Sequence, residues 1–196
     1  MTTEPVVSRP SVAGRAPWLP PASNGELAPS DVQQSVSLFL ALESEAFDGR
    51  HFDEWTSMLD DAFTYRVPVP VVRDGLTALP FDPGSLLIDE TKQSIVDIWL
   101  ARLGSDLYDL AWGEHPPFRF RHYVSNVRVR TTGDPDTFLA RSNVLLTMVR
   151  QSTDPAQLGG ERYDLARREA QGWKLLSRYC VLDAVVLHVP QVRVML

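Results

Sequence analysis

The chain has 196 residues, 44% of them hydrophobic, which is enough to bury one core. Its net charge of -6, from 25 acidic and 19 basic residues, argues against a nucleic acid or an anionic membrane as partner. The single cysteine, Cys180, excludes an intrachain disulfide and any cysteine-ligated cluster. Because no stretch has the length of a membrane span and the N-terminus has no apolar signal segment, we expect a cytoplasmic protein.

The first 29 residues are rich in proline, serine, glycine and alanine, a composition that cannot propagate a helix or a sheet. We therefore expect an N-terminal arm over residues 1–29 and a single domain over residues 30–196. The arm is either disordered or ordered on a neighbouring subunit, in which case Trp18 and Leu19 are its anchors.

Two amphipathic helices are predicted next. Ser30 to Gln33 has the pattern of a capping box, and apolar residues then recur at helical spacing until Gly49. A short second helix is expected from about Asp53.

A strand, a loop and a third helix follow. Residues 63–69 alternate as a strand, and Pro68 and Pro70 restrict that strand to a sheet edge or a bulge. Residues 73–85 are dominated by turn formers, so we expect a long loop there. Helical spacing of apolar residues then predicts a helix over residues 89–103.

Residues 117–130 form the longest run without a turn former and are predicted to be a long strand. Successive side chains of a strand point to opposite faces. One face therefore carries Phe118, Phe120, His122 and Val124, and the other carries Arg119, Arg121, Tyr123 and Ser125. Beyond Ser125 the polarity reverses, because Val127 and Val129 then fall on the arginine side. Such a strand is bent, bulged or covered by different partners at its two ends.

Three further strands are predicted at residues 138–150, 161–170 and 173–187, which complete an antiparallel meander, and a short apolar strand is expected at residues 192–196. Helices that come first and strands that come later predict an α+β fold. We expect a cystatin-like or NTF2-like cone, in which helices pack on the concave side of a strongly curved antiparallel sheet.

Three segments together resemble the beta (small) subunit of bacterial aromatic-ring-hydroxylating dioxygenases, the Rieske non-haem iron oxygenases. They are ESEAFDGRHFDEWTSMLDDAFTYRVPV, AWGEHPPFRFRHYVSNVRVR and RREAQGWKLLSRYCVLDAVVL, the last followed by the apolar end VRVML. The resemblance extends from about residue 31 to the C-terminus and excludes the proline-rich arm and residues 155–160.

The resemblance implies a structural, non-catalytic subunit of an oxidoreductase that takes part in the catabolism of aromatic hydrocarbons. Its partners would be three large (alpha) subunits and two further copies of itself in an α3β3 heterohexamer, and indirectly a ferredoxin and a reductase that deliver electrons from NAD(P)H. The chain itself would carry no cofactor. The alpha subunit would hold the Rieske [2Fe-2S] cluster and the mononuclear iron that inserts both atoms of O2 into the ring.

The residues themselves offer little chemistry. A Rieske centre needs two Cys and two His ligands, whereas this chain has one cysteine and four widely spaced histidines, His51, His115, His122 and His188. Cys180 lies in a predicted strand and is expected to be a buried, inert thiol. His122 with Asp97 or Asp183 leaves one alternative open, a stand-alone NTF2-like isomerase or dehydratase with a polar pair in the cone. A small-ligand binding module is a third class.

The arginines of the central strand are either a solvated face or part of a subunit interface. Arginine and aromatic residues are enriched at interfaces and lysine is depleted, and this chain has only two lysines, Lys92 and Lys174. We predict that the interface includes the following residues: Trp112, His115, Arg119, Arg121, Tyr123 and Arg128.

Overall fold

The computed structural model describes residues 18–75, 77–104, 107–151, 154–189 and 195–196. Its helices are α1 (Ser30–Asp48), α2 (Phe52–Ser57), α3 (Lys92–Ser94), a π-helical stretch (Ile95–Leu100) and α4 (Ala101–Gly104). A 3-10 turn covers Trp112–Glu114. Among the helices of the described ranges, none is both long enough and apolar enough to span a membrane.

The strands are β1 (Leu59–Pro70), β2 (Phe81–Thr91), β3 (Arg119–Thr131), β4 (Thr137–Val149), β5 (Ala156–Glu169) and β6 (Gly172–Leu182). They form one six-stranded sheet in the order β2-β1-β6-β5-β4-β3. The last four strands make the predicted antiparallel meander, and β2 also pairs antiparallel with β1. The pairing of β1 with β6 is parallel, so the sheet is mixed rather than wholly antiparallel.

One hydrophobic core lies between the helices and one face of this sheet, which we call the inner face. From α1 it takes Val32, Val36, Phe39, Leu40 and Phe47, and from the sheet it takes Phe120, Val144, Leu146, Leu175 and Cys180, among others. A smaller cluster lies on the opposite, outer face and contains Phe81, Tyr179 and Val181, with Trp18 and Tyr163 packed against it. The predicted α+β fold, with helices on one side of the sheet, is confirmed.

The first helix has the predicted bounds but not the predicted cap. Its N-cap is Pro29, and no side chain caps it. Gln33 bonds instead to β3, where its Nε2 donates to the Val129 carbonyl (2.7 Å) and its Oε1 accepts from the Val129 N–H (2.9 Å). Gln33 therefore closes part of the free edge of β3, a long-range role that overrides the local capping pattern.

The segment before α1 also lies on this edge. Ala28 donates its N–H to the Val129 carbonyl (3.0 Å), and Thr131 donates its N–H to the Glu26 carbonyl (2.9 Å). Farther back, the Trp18 ring lies under the Arg66 guanidinium on the outer face, with 4.6 Å between the guanidinium carbon and the ring centroid. Residues 18–28 are thus packed on their own chain.

The strand β2 was missed by the sequence analysis, which predicted a loop over residues 73–85 and a helix from Asp89. The strand begins at Phe81, and the helix begins only after Thr91, which forms a capping box with Ser94. An edge strand that pairs with a single neighbour tolerates the turn formers that suggested a loop.

Pro68 and Pro70 of β1 pair with β2 alone, because the pairing of β1 with β6 ends at Arg66, so they lie at a local edge of the sheet and a bulge adjoins Pro68. The register shifts on either side of Pro68, which pairs with Leu86, while Val69 pairs with Asp82. Residues 83–85 of β2 therefore have no partner in β1.

A bulge also explains the reversal of polarity in β3. Ser125 pairs with Asn143 and Arg128 pairs with Arg141, so β3 contains one more residue than β4 over this span. Asn126 takes up the bulge with φ 54°, in the left-handed region. Beyond the bulge the alternation is shifted by one residue, and all the arginines of β3 lie on the outer face.

The ends of two other strands differ from the prediction. β5 begins at Ala156 rather than Glu161, so Gly160 belongs to the strand. A Cβ at this position would lie 2.5 Å from the Val181 carbonyl oxygen, a distance that only glycine permits. β6 ends at Leu182 rather than at residue 187. The predicted strand at residues 192–196 lies mostly outside the described residues, and its last two residues are buried without forming a strand.

Candidate functional site

The outer face of β3 carries most of the predicted interface residues. We call it the arginine face, and it consists of Arg119, Arg121, Tyr123, Ser125, Arg128 and Arg130. Tyr123 is 56% exposed and lies opposite Leu145, which is 40% exposed, so apolar surface sits among the guanidinium groups. Over the described part of the chain, Arg119, Arg121 and Arg128 form no ion pair.

The next two strands carry a polar ladder beside this face. Arg141 on β4 donates its Nε–H to Glu161 on β5 (2.5 Å), and the Tyr163 hydroxyl donates to the same carboxylate (2.7 Å). Partial burial opposes ionisation of Glu161, but these two hydrogen bonds hold its pKa below the ordinary value. Burial and the same carboxylate raise the pKa of Tyr163 to about 12, so its hydroxyl remains a donor.

The remaining predicted interface residues, Trp112 and His115, lie in the loop that leads into β3. Trp112 is 85% exposed. The loop beneath it is held in place, because His115 donates Nε2–H to the Tyr108 carbonyl (2.8 Å) and Arg150 donates to the Gly113 carbonyl (2.9 Å). The rings of Tyr108 and His115 also lie 4.2 Å apart. A fixed loop that exposes an indole is typical of an anchor at a protein interface.

The candidate base, His122, is on the inner face and its side chain is only 2% exposed. Its Nδ1 lies 2.6 Å from an oxygen of Asp48, and its Nε2 donates to the Met195 carbonyl at 2.5 Å. The acidic partner is therefore Asp48 at the end of α1, not Asp97 or Asp183. Since both ring nitrogens are engaged in these contacts, the geometry does not favour a general base.

Sequence reasoning missed a cluster of charged side chains inside the cone. We call it the buried charge network, and it consists of Glu43, Arg162, Asp164 and Arg178, each at most 2% exposed. Arg178 forms a two-pronged pair with Glu43 (3.1 and 3.0 Å) and donates its Nε–H to Asp164 (2.8 Å). Arg162 donates to the other oxygen of Asp164 (3.2 and 2.9 Å).

The network joins α1 to the middle of the sheet. Glu43 comes from α1, Arg162 and Asp164 from β5, and Arg178 from β6, where it pairs across strands with Asp164. The Trp55 indole also donates to Glu43 (2.7 Å). Acidic and basic groups alternate through it, so every buried charge has an opposite partner.

The pKa values show how far the pairing offsets burial. Burial raises the pKa of Glu43, but Arg178 and Arg162 outweigh it and bring that pKa down from 4.5 to about 2. The pKa of Arg178 is raised in spite of burial, because Asp164 and Glu43 lie against it. Glu43 and Arg178 are therefore both ionised at neutral pH.

The remaining candidates for catalysis or metal binding are dispersed. Cys180 is buried, as predicted, and burial raises the pKa of its thiol to about 12. His51 lies 3.9 Å from Glu54 at the surface, on the helix side of the molecule. Among the residues that the structure describes, no group of three or more His, Cys, Asp or Glu side chains is arranged to hold a metal ion.

Solved structures share the fold at low sequence identity. A chain of a naphthalene 1,2-dioxygenase with indole bound in its active site matches with a TM-score of 0.74 and 21% identity, over 86% of this chain and 88% of that one. The beta subunit of the benzoate 1,2-dioxygenase of Burkholderia mallei ATCC 23344 matches with a TM-score of 0.59 and 21% identity, over 81% and 92%.

A third match is the beta subunit of a putative aromatic-ring-hydroxylating dioxygenase from Novosphingobium aromaticivorans DSM 12444, with a TM-score of 0.58 and 18% identity, over 79% and 90% of the two chains. These likenesses confirm the predicted NTF2-like cone. A family model described as "Ring hydroxylating beta subunit" matches residues 42–189, which is well over half of the chain.

Proposed function

Because this chain belongs to the family of ring-hydroxylating beta subunits, we propose that it is the structural small subunit of an aromatic-ring dioxygenase. In this role three copies associate and hold three alpha subunits in register, so that the electron-carrying centre of one alpha subunit faces the catalytic iron of its neighbour. The observation that carries the proposal is the family match over residues 42–189.

The interior of the cone supports a structural rather than a catalytic role. Its ionised groups are paired with one another, and the nitrogens of His122 are engaged by Asp48 and Met195. A general base needs a free lone pair that can reach a substrate. The NTF2-like isomerase or dehydratase with His122 as base is therefore the less favoured alternative.

Cofactors and electrons belong, in this proposal, to the partner proteins. The alpha subunit would hold the [2Fe-2S] Rieske cluster and the mononuclear iron, and a ferredoxin and a reductase would supply electrons, all in the cytoplasm. The beta subunit would position the alpha subunits, because electron transfer between neighbouring alpha subunits requires that they be held close together.

We propose that the arginine face, with Trp112 and His115 beside it, is the contact surface of the assembly. Two features support this: the exposed Tyr123 and Trp112 side chains, and the exposed Arg119 and Arg121, which form no ion pair in the described part of the chain. In a closed trimer each contact joins two different faces. A basic face on a chain whose net charge is -6 can then meet an acidic face of a neighbour.

The test is co-expression with the proposed partner alpha subunit, followed by purification through a tag on the beta subunit. The proposal expects a coloured complex that contains equal numbers of both chains, with the iron lost when the alpha subunit is omitted. A colourless assembly of this chain alone that rearranges a ketosteroid-like substrate would contradict it and would support the alternative.

A further inference from the structure

Two buried polar side chains occupy paired positions on neighbouring strands at the end of the buried charge network. Ser142 on β4 and Arg162 on β5 are directly opposite in the register of the two strands, and both are 0% exposed. The Ser142 Oγ and the Arg162 Nη1 have no hydrogen-bond partner among the described residues.

The other two nitrogens of Arg162 each donate a hydrogen bond. Its Nε and Nη2 both donate to Asp164, so Nη1 is the end of the guanidinium turned away from that carboxylate. Buried polar groups in proteins are nearly always hydrogen-bonded, and a buried group without a partner is strongly destabilising. A serine hydroxyl can both donate and accept, so the two atoms suit one small ligand that accepts from Arg162 and bonds to Ser142.

The charges around the pair decide the class of ligand. The carboxylates of Glu43 and Asp164 balance the guanidinium groups of Arg162 and Arg178, so the network is neutral as it stands. The neighbouring thiol of Cys180, which lies opposite Arg162 on β6, is neutral because burial raises its pKa to about 12. A bound anion would leave an uncompensated negative charge in the core, which is far costlier than a neutral ligand.

We propose that Ser142 and Arg162 hold one ordered internal water molecule, which completes the hydrogen bonds of the buried charge network. Proteins commonly contain buried waters that bond to groups of this kind. The water ties β4 to a network that already joins α1, β5 and β6. The site concerns the fold of this chain alone and does not depend on the assembly proposed above.

The direct test is a crystal structure of the full chain at a resolution that shows ordered solvent. We expect an electron-density peak within about 3.2 Å of both Ser142 Oγ and Arg162 Nη1. A crystal soaked in bromide should give no anomalous peak there. A bromide peak would overturn the proposal in favour of an anion site, and so would a structure in which Arg162 Nη1 bonds directly to a protein acceptor.

A pair of substitutions provides a second test. Ser142→Ala leaves the water in place on Arg162, whereas the larger side chain of Ser142→Val fills its space and leaves Arg162 Nη1 unpaired. We expect the unfolding midpoint of S142V to lie about 5 °C below that of S142A. The peak should remain in crystals of S142A and be absent in S142V. A valine variant as stable as the alanine variant would contradict the proposal, since valine buries more apolar surface.

Discussion

The inner and outer faces of the sheet use arginine in opposite ways. On the inner face Arg162 and Arg178 are buried and paired with carboxylates of the same chain. On the outer face Arg119, Arg121 and Arg128 are exposed and have no ion pair in the described ranges. Buried charges must be neutralised where they lie, whereas exposed charges remain available to a partner. From this comparison we propose that the inner arginines serve folding and the outer arginines serve assembly.

The largest effect is expected from removing a buried arginine of the inner face. Arg178→Met removes the arginine bonded to Glu43 and one of the two arginines bonded to Asp164, and it leaves two buried carboxylates with one cation. We expect the free energy of unfolding to fall by about 3 to 5 kcal/mol. Urea denaturation of the isolated subunit measures it.

The matched control is the same substitution on the outer face. Arg121→Met should change the free energy of unfolding by less than about 0.5 kcal/mol, because its side chain is exposed. Equal losses in the two variants would show that the faces do not differ in the way described.

A second effect is the loss of stability in acid. Because the pKa of Glu43 is about 2 in the folded chain against 4.5 ordinarily, the unfolded chain binds this proton at higher pH. The stabilisation is complete above about pH 4.5 and is lost as the pH falls towards 2, a change of about 3 kcal/mol. Glu43→Gln should reduce the dependence of the free energy of unfolding on pH. Glu45→Gln, on the exposed side of α1, should leave that dependence unchanged. The readout is urea denaturation at a series of pH values.

The next largest effect is expected from Trp112, in the loop that leads into β3. Trp112→Ala removes an indole that is 85% exposed in the free chain, so the unfolding midpoint of the subunit should not change. If the indole is buried at the subunit contact, assembly with the alpha subunit should weaken by about 2 kcal/mol. Sedimentation of the mixed subunits over a concentration range measures this. Undiminished assembly would exclude Trp112 from the contact.

The smallest expected effect is a difference between the two faces in their sensitivity to salt. Exposed charges are screened by salt, whereas buried pairs are screened far less. Raising the salt concentration from about 0.05 to 0.5 M should weaken assembly several-fold and leave the urea midpoint of the isolated subunit nearly unchanged. A subunit that loses stability in parallel with assembly would argue against the distinction.

The elements predicted correctly from the sequence are those in which a regular pattern of apolar residues continues over many consecutive residues. α1 and β3 came out near their observed bounds, because apolar residues recur over many turns or alternate over many residues. The bulge in β3 was also visible, as a reversal of polarity beyond Ser125. β2 was missed because Pro83 and Gly84, which suggest a loop, are tolerated where an edge strand leaves its partner.

The candidate site was predictable only in part. Alternation placed Arg119 and Arg121 on one side of a strand, and that followed from the sequence. The buried charge network did not, because its members are up to 135 residues apart in sequence. One local signal was available: Arg162 and Asp164 alternate in β5 on the same side as Leu158, which predicts buried charges that need partners.

The central claim is that the arginine face holds the assembly and not the fold. Native mass spectrometry of this chain co-expressed with its alpha subunit, as wild type and as Arg121→Glu, tests it most directly. We predict three copies of each chain for the wild type and smaller species for R121E, with the same unfolding midpoint for both isolated beta subunits. A full hexamer formed equally well by R121E would contradict the claim.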